Sequence, residues 1–369
     1  MSKPKLTIGV EEEYQIVHPE TRELTSYIQE FLDEGRIILR NQIKPEFLQS
    51  QVEVGSNICN DIHEARAEFV RLRTTVCKLA REKGMCVAAA GTHPFSKWSE
   101  QKITAGERYT EHEQNMADIA RRMLVFGMHV HIGIDDSDVR VDVMNQARYF
   151  VPHLLALSTS SPFWHGRETG LKSYRTIIIN DLPRAGLPPH FASYSAFERF
   201  VDTLIKTNCI DEPTKIWWDI RPHPTFPTIE FRFADICSKI DEAVCLTALF
   251  QALVAKLIKL RRGNIVWRPY RRNLITENKW RAVRDGKDAV LIDFGRRKEV
   301  SLKSLVYEIL ELVDDVVDDL GVRQDVEYVH TILEQGTSAD RQLATYKETG
   351  SLEAVVDRII EETRQGCEP

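Results

Sequence analysis

Residues 6–17, LTIGVEEEYQIV, have the alternating pattern of a β-strand but carry three consecutive glutamates. Side chains along a strand point alternately to its two faces. Glu11 and Glu13 therefore project from one face beside Gly9, and apolar residues project from the other. Glu12 falls on the apolar face, where either a sheet edge or a paired cation would explain it. This strand predicts a sheet with one acidic face.

Three further segments repeat this arrangement: LQSQVEVG (48–55), FGMHVHIGI (126–134) and TIEFRFAD (228–235). Each has apolar residues on one face and polar residues on the other. Taken singly, each polar face could be a functional site, but it is explained as well by contact with solvent, by a surface ion pair or by structural hydrogen bonds. If the four strands share one sheet, a single face collects Glu11, Glu13, Gln49, Gln51, Glu53, His129, His131, Glu230 and Arg232.

Crowded carboxylates indicate a bound cation, because their charge must be neutralised by protons or by metal. Oxygen-rich sites with little sulfur suit Mg²⁺ or Mn²⁺, and Mg²⁺ commonly completes its coordination with substrate phosphate. This chemistry points to ATP as a co-substrate. Arg232 would then stabilise a phosphoryl group during transfer. The sequence has no Walker motif, kinase-type glycine loop or G-x-G-x-x-G fingerprint.

Composition narrows the class of protein. The 369 residues are 43% hydrophobic and 28% charged, as in globular proteins, and the net charge of −6 argues against nucleic acid as a partner. The N-terminus does not resemble a signal peptide, and no segment is expected to approach the length of a membrane span. Seven scattered cysteines without a C-x-x-C pair favour reduced thiols. We therefore expect a cytoplasmic protein with no membrane contact.

Periodicity predicts an α+β fold. Helices are expected near 62–83, 110–123, 140–160, 194–206 and 239–262, and further strands near 85–91, 174–180, 215–221 and 288–293. The chain reads as helical from about residue 300, where one helix is predicted to end at Gly321. No linker or repeat divides the sequence. We predict a single domain spanning residues 1–369.

The order of several motifs resembles the carboxylate-amine ligase family, also called glutamate-cysteine ligase type 2. These are IGVEEEYQIVHPETREL, LQSQVEVGSNIC, AAGTHPF, GMHVHIGI, SSPFWHGRETGLKSYR, LPRAGLPP, WWDIRPHPTFPTIEFRFAD and ENKWRAVRDG, and the similarity runs from about residue 6 to about 365. The resemblance implies the fold of glutamine synthetase and glutamate-cysteine ligase, with a curved, mainly antiparallel sheet and helices on its convex side. It also implies ATP-dependent amide formation through an acyl phosphate.

The resemblance also suggests roles for individual residues. Arg232 matches the catalytic arginine, and the expected ligands of Mg²⁺ or Mn²⁺ are Glu11, Glu13, Glu53, His129 and Glu230. The expected substrate contacts are Gln51, His131, Arg175, Arg184 and Arg221. The three arginines are candidates for binding substrate carboxylates, because guanidinium groups match that geometry. Asn278 and Arg281 are expected to contact the nucleotide.

The leading hypothesis is a ligase that joins glutamate to cysteine, with another amine as an alternative. A second hypothesis is a metal-dependent hydrolase of an amide or phosphate ester. A third is a binding protein without turnover, although such a protein has little use for the complete set of charged residues. The expected partners are small molecules, namely ATP, an amino-acid carboxylate and an amine, together with a second copy of the chain in a homodimer.

Overall fold

The computed structural model describes residues 5–26, 34–35 and 37–367. Seven of the strands within these residues form one sheet, in the order β2-β3-β1-β5-β9-β8, with β4 also paired to β1. Every pairing in that sheet is antiparallel. The strands are β1 (Ile8–Val17), β2 (Ile43–Pro45), β3 (Gln51–Gly55), β4 (Cys86–Ala88), β5 (Gly127–Gly133), β6 (Phe163–Trp164), β7 (Arg167–Glu168), β8 (Ile220–Pro222), β9 (Thr228–Asp235), β10 (Val290–Asp293) and β11 (Lys298–Ser301).

Helices pack against the apolar face of this sheet and continue through the C-terminal part. Phe231 of β9 stacks on Phe250 of α8 with ring centroids 4.6 Å apart. Gly321 ends α10 in the left-handed conformation, as predicted. The helices are α1 (Ile62–Glu82), α2 (Glu107–Met116), α3 (Asp118–Arg121), α4 (Ser137–Ala147), α5 (Val151–Leu157), α6 (Tyr174–Asn180), α7 (Tyr194–Lys206), α8 (Ile240–Arg262), α9 (Arg272–Asp285), α10 (Leu302–Leu320), α11 (Arg323–Glu327), α12 (Val329–Gln335), α13 (Ser338–Thr349) and α14 (Leu352–Arg364).

The predicted α+β class, with a mainly antiparallel sheet and helices on one face, is confirmed. One large cluster of buried apolar side chains extends from Leu6 to Leu333 and includes residues from the sheet and from α8. The division of the chain into a single domain stays a prediction.

Helix α8 corrects one expectation. The helix is long and apolar enough over an 18-residue window to cross a membrane by length and composition. The expectation that no segment approaches a membrane span is therefore wrong. However, 78% of that window is buried inside the protein, where α8 packs against β5 and other helices. The apolar composition of α8 is thus explained by its position in the core.

The segment predicted as a strand at 174–180 is instead α6. Its β-branched residues favoured a strand, but tertiary packing can override that propensity. Arg175 and Ile178, three positions apart on the helix, are both buried. The strands predicted at 85–91, 215–221 and 288–293 are shorter than expected, and the last of them pairs within the β10-β11 hairpin.

The unexplained Glu12 pairs with a cation in the core. Its carboxylate is 2% exposed and forms an ion pair with the fully buried Arg73 of α1. Tyr14 donates a hydrogen bond to Glu12 and accepts one from Arg73 Nε at 3.1 Å. Arg73 also donates to the backbone carbonyls of Ser238 and Cys237, at 2.6 and 3.1 Å. Glu12 therefore belongs to a fully hydrogen-bonded structural group.

Candidate active site

The strand register brings the predicted polar residues onto one face of the sheet. Glu13 lies opposite Glu53 on the β1-β3 pair, and Glu11 lies opposite His129 on the β1-β5 pair. His131 lies opposite Glu230 on the β5-β9 pair. Residues directly opposite each other in an antiparallel pair project from the same face. The sheet thus assembles residues that are more than 200 positions apart in the sequence.

All of these side chains except that of His131 line a cavity of about 480 Å³ over this face. Other residues of the lining include Lys44, Glu46, Asp219 and Lys279, which the sequence patterns did not single out. The predicted site residues that line the cavity are Glu11, Glu13, Gln51, Glu53, His129, Arg175, Arg221, Glu230 and Arg232.

One group of possible metal ligands contains Glu11, His131 and Glu230, whose ligand atoms lie within 4.8 Å of one another. His131 Nδ1 lies 3.1 Å from the Thr228 hydroxyl, and His131 Nε2 is buried with no hydrogen-bond partner. A neutral imidazole that donates through Nδ1 leaves Nε2 free to bind a metal. The geometry therefore favours His131 as a ligand, although the sequence assigned it to the substrate.

Burial and neighbouring charges shift the pKa values of Glu11, Glu230 and the adjacent His129. Burial alone would raise the pKa of Glu11, but the neighbouring His129 and His131 hold that pKa well below its ordinary value. Burial lowers the pKa of His129 to about 4, and the nearby Arg232 adds to this effect. Burial also acts to raise the pKa of Glu230, but Arg232 and Arg221 keep it well below the ordinary value. Ionised carboxylates and neutral imidazoles are the protonation states that bind metal.

A second group contains Glu13, Glu46 and Glu53. Burial, together with the charge of Glu53, raises the pKa of Glu13 to about 7, although Arg175 opposes this shift. Burial and the charges of Glu53 and Glu13 raise the pKa of Glu46 well above its ordinary value. Such carboxylates require a proton or a cation for stability. Because all three donors are oxygens, this group suits a hard divalent ion.

A lysine connects the two groups. Lys44 Nζ lies 3.2 Å from a Glu11 oxygen and 2.8 Å from a Glu53 oxygen. Lys44 and Glu46 lie in and beside β2, a three-residue strand whose proline and short length left no periodic pattern to detect. The residues present fit Mg²⁺ or Mn²⁺, and the assignment of His129 as a ligand stays a prediction.

The three arginines of the cavity differ in how many of their donors are used. Arg221 forms an ion pair with Glu230 at 2.7 Å and also donates to the backbone carbonyls of Thr214 and Ile216. Arg232 forms an ion pair with Glu230, and its Nη1 lies 3.5 Å from His129 Nδ1. Arg175 donates to the backbone carbonyls of residues 232 and 233, but its buried Nε has no hydrogen-bond partner. Arg175 and Arg232 are thus better placed than Arg221 to bind a ligand.

Besides His131, three predicted contacts lie outside the cavity lining. Arg184 donates to the Lys215 carbonyl at 3.1 Å, and its guanidinium lies over the Trp217 ring. The Asn278 amide makes two hydrogen bonds with the backbone of Ile292, at 2.9 and 2.7 Å.

Arg281 forms an ion pair with Glu299 at 2.7 Å and also donates to the Val290 carbonyl. Asn278 and Arg281 thus connect α9 to the β10-β11 hairpin, and the residue of α9 that lines the cavity is Lys279. The roles assigned to Arg184, Asn278 and Arg281 stay predictions without support from this geometry.

The fold is similar to that of two solved structures. One is the crystal structure of glutamate-cysteine ligase from Francisella tularensis in complex with AMP, with a TM-score of 0.72, 13% identity and coverage of 100% of this chain and 90% of that chain. The other is a bifunctional glutathione synthetase from Pasteurella multocida, with a TM-score of 0.67, 12% identity and coverage of 98% of this chain and 52% of that chain. These similarities confirm the predicted glutamate-cysteine ligase fold.

Sequence comparison gives a closer relationship. A protein of Herpetosiphon aurantiacus named "Putative glutamate--cysteine ligase 2" is 56% identical over 360 residues, which are 98% of this chain and 94% of the relative. A protein of Chloroflexus aggregans with the same name is 58% identical over 360 residues, covering 98% of this chain and 92% of the relative. The family model described as glutamate-cysteine ligase family 2 matches residues 7–358. The chain therefore belongs to glutamate-cysteine ligase family 2, as its motifs predicted.

Proposed function

We propose that the protein joins the γ-carboxylate of glutamate to the amino group of cysteine in an ATP-dependent reaction that yields γ-glutamylcysteine. The observation that carries this proposal is the family match over residues 7–358. Glutamate and cysteine are the substrates in the names of relatives that are 56% and 58% identical. The acidic and arginine-rich cavity supplies groups that suit phosphoryl transfer.

The proposed reaction has two steps. A carboxylate oxygen of glutamate attacks the γ-phosphorus of ATP, the bond between that phosphorus and the β–γ bridging oxygen breaks, and ADP leaves. The amine of cysteine then attacks the acyl carbon of the resulting γ-glutamyl phosphate. The amine loses its proton, the carbon–oxygen bond to phosphate breaks, and inorganic phosphate leaves with the electron pair.

The residues of the cavity would divide the work of this reaction. Arg232 would stabilise the negative charge on the transferring phosphoryl group. The two clusters of metal-binding side chains would hold the divalent metal. Glu11 and Glu230 belong to one cluster, and Glu13 and Glu53 belong to the other. Bound Mg²⁺ or Mn²⁺ would neutralise phosphate charge and orient the triphosphate. Arg175, with its unpaired Nε, would contact a substrate carboxylate.

The hydrolase hypothesis gains no support from the family or the relatives, all of which point to a ligase. The hypothesis of a binding protein without turnover is wrong, because the chain belongs to a family of ligase enzymes. We also propose a cytoplasmic location, which the seven free cysteines support. The predicted homodimer can be tested by light scattering coupled to size-exclusion chromatography.

The proposal can be tested with the purified protein, MgATP, glutamate and a panel of amines that includes cysteine. We expect ADP release to require both glutamate and an amine, and mass spectrometry to identify γ-glutamylcysteine. Turnover with another amine and none with cysteine would contradict cysteine as the substrate. Cleavage of an amide or phosphate ester without ATP would contradict the ligase assignment itself.

A further inference from the structure

A buried pair of opposite charges, Asp219 and Lys279, lies in the wall of the active-site cavity. Lys279 Nζ lies 2.7 and 2.8 Å from the two carboxylate oxygens of Asp219. The side chains are 6% exposed for Lys279 and 5% exposed for Asp219. Neither residue belongs to the possible metal groups, so the metal chemistry proposed above leaves this pair without a role.

Asp219 lies directly across from Arg232. The β8-β9 register places Ile220 opposite Phe231, and the Arg232 amide donates to the Asp219 carbonyl at 2.8 Å, which extends that register by one pair. Opposite residues of an antiparallel pair lie about 4.5–5.5 Å apart at Cα and share a face. The side chains of Asp219 and Arg232 thus project from the same face of the sheet, and both line the cavity.

The hydrogen bonding of this pair differs from that of the structural pair Glu12–Arg73. In the structural pair, Glu12 also accepts a hydrogen bond from Tyr14, and Arg73 also donates to two backbone carbonyls. Among the residues that the structure describes, only Lys279 donates to the Asp219 side chain.

Within the described part of the chain, the Lys279 ammonium has one hydrogen-bond partner besides Asp219, namely Asn180 Oδ1 at a long 3.4 Å. A buried ion pair offsets its desolvation only when further hydrogen bonds satisfy both groups. The Asp219–Lys279 pair therefore retains bonding capacity that faces the cavity.

We infer that Asp219 and Lys279 recognise the α-amino-acid head group of the acid substrate. Asp219 accepts hydrogen bonds from the α-ammonium, and Lys279 donates to the α-carboxylate, so that the ligand replaces part of the existing ion pair. This inference rests on the proposed function, in which the acid is glutamate. It makes the pair the element that distinguishes an amino acid from a plain dicarboxylate.

The size of glutamate fits this placement. Three carbon–carbon bonds of about 1.5 Å separate its α-carbon from its γ-carboxyl carbon, which gives a reach of about 4 Å when extended. That reach is close to the Cα spacing of about 4.5–5.5 Å expected for Asp219 and Arg232 across the strand pair. A head group held by Asp219 and Lys279 therefore leaves the γ-carboxylate of the substrate near Arg232 and the proposed metal-binding glutamates.

The test uses three acids that differ only in the head group. Glutarate lacks the α-ammonium of glutamate, and 4-aminobutyrate lacks its α-carboxylate. Binding of each acid to the full-length protein is measured by calorimetry with Mg²⁺ and a non-hydrolysable ATP analogue. Turnover is then measured as ADP release with MgATP and saturating cysteine, and kcat and KM are determined separately.

We expect the unmodified protein to prefer glutamate to either analogue by about 100-fold or more in kcat/KM, since sites that pair a buried polar group discriminate strongly. Asp219→Asn should lower kcat/KM for glutamate by at least about 30-fold, mainly through KM, and leave that for glutarate unchanged or raised. Lys279→Gln should likewise lower kcat/KM for glutamate and leave kcat/KM for 4-aminobutyrate, which lacks the α-carboxylate, unchanged or raised. The double variant, which leaves neither charge unpaired, should lose the preference for glutamate over both analogues.

A matched control is the pair Lys172–Asp340, which is 2.6 Å apart and outside the cavity lining. Lys172→Gln and Asp340→Asn should leave the preference among the three acids unchanged. If Asp219→Asn weakens binding and turnover of glutamate and glutarate by the same factor, its role is structural and the inference is wrong. Equal use of the three acids by the unmodified protein would also overturn it. Absence of ADP release with glutamate and cysteine, despite selective glutamate binding, would instead contradict the proposed function.

Discussion

Replacing Arg232 by alanine is expected to abolish catalysis while leaving the fold intact. The side chain is 19% exposed at the cavity wall, and its structural partner is Glu230. Removing one partner of a buried ion pair usually costs about 3–5 kcal/mol because the other charge is left unpaired. Here Glu230 keeps Arg221, whose Nε and Nη2 lie 2.7 and 3.4 Å from its oxygens. The unfolding free energy should therefore fall by less than about 2 kcal/mol.

The catalytic effect should be much larger. An arginine that stabilises a transferring phosphoryl group contributes about 10³- to 10⁵-fold in kcat, or about 4–7 kcal/mol of barrier. Arg232→Lys retains the charge but loses the planar fork, so its activity should lie between those of the unmodified protein and Arg232→Ala. Arg323 provides the matched control, since it forms a surface ion pair with Asp318 away from the cavity lining. Arg323→Ala should retain activity within about twofold.

The assay is steady-state ADP release with MgATP, glutamate and cysteine, combined with urea unfolding of each variant. Mg²⁺ binding, measured by calorimetry, should be retained in Arg232→Ala because the substitution removes none of the proposed metal-binding glutamates. A variant that keeps its rate within tenfold would refute the assigned role of Arg232. Loss of activity that is matched by unfolding would refute the argument that Arg221 is sufficient to neutralise Glu230.

The remaining predictions concern Arg73, Glu13 and Gly127. Arg73→Met should lower the unfolding free energy by about 3–5 kcal/mol because Glu12 is left buried and unpaired, and an unchanged urea midpoint would contradict this. Because the pKa of Glu13 is about 7 in the fold against an ordinary 4.5, the metal-free protein should lose stability as pH rises between these values. For the same reason, Mg²⁺ affinity should rise from pH 6 to pH 8 with proton release below pH 7, as calorimetry in two buffers can measure. Gly127→Ala would place the new Cβ 2.8 Å from the Arg175 guanidinium carbon and should therefore displace the Arg175 side chain. We expect kcat/KM for glutamate to fall by about tenfold or more. Unchanged kinetics would argue against substrate binding by Arg175.

Strand periodicity was sufficient to predict the acidic face of the sheet. The two-residue repeat separated Glu11 and Glu13 from the apolar residues of β1, and the same repeat placed His129 and His131 together on β5. This works because a strand with one buried face leaves little freedom in its register. The family resemblance implied a single, mainly antiparallel sheet, but which strands are neighbours was not predicted, since pairing partners far apart in sequence leave no local pattern.

Other parts depend on contacts that a local pattern does not contain. Glu12 is explained only by Arg73, which is 61 positions away on α1. The β-branched run in α6 favoured a strand, but Arg175 and Ile178 are buried against the rest of the protein as a helix. Lys44 and Glu46 lie at an edge strand too short to show an alternation.

The motif on α9 illustrates a different difficulty. Successive residues of a helix point in directions about 100° apart, so a motif alone does not identify the member that faces a cavity. The sequence analysis selected Asn278 and Arg281, whereas Lys279 between them lines the cavity. The helix orientation follows from packing against α5 and the β10-β11 hairpin, which requires the three-dimensional structure.

Oxygen transfer from the acid substrate to phosphate is the most direct measurement of the proposed chemistry. Glutamate labelled with ¹⁸O in its γ-carboxylate is incubated with the protein, MgATP and cysteine, and the inorganic phosphate is analysed by mass spectrometry. An acyl-phosphate route predicts one ¹⁸O atom in phosphate for every γ-glutamylcysteine formed. Phosphate without ¹⁸O, released alongside the amide product, would contradict activation of the carboxylate by ATP.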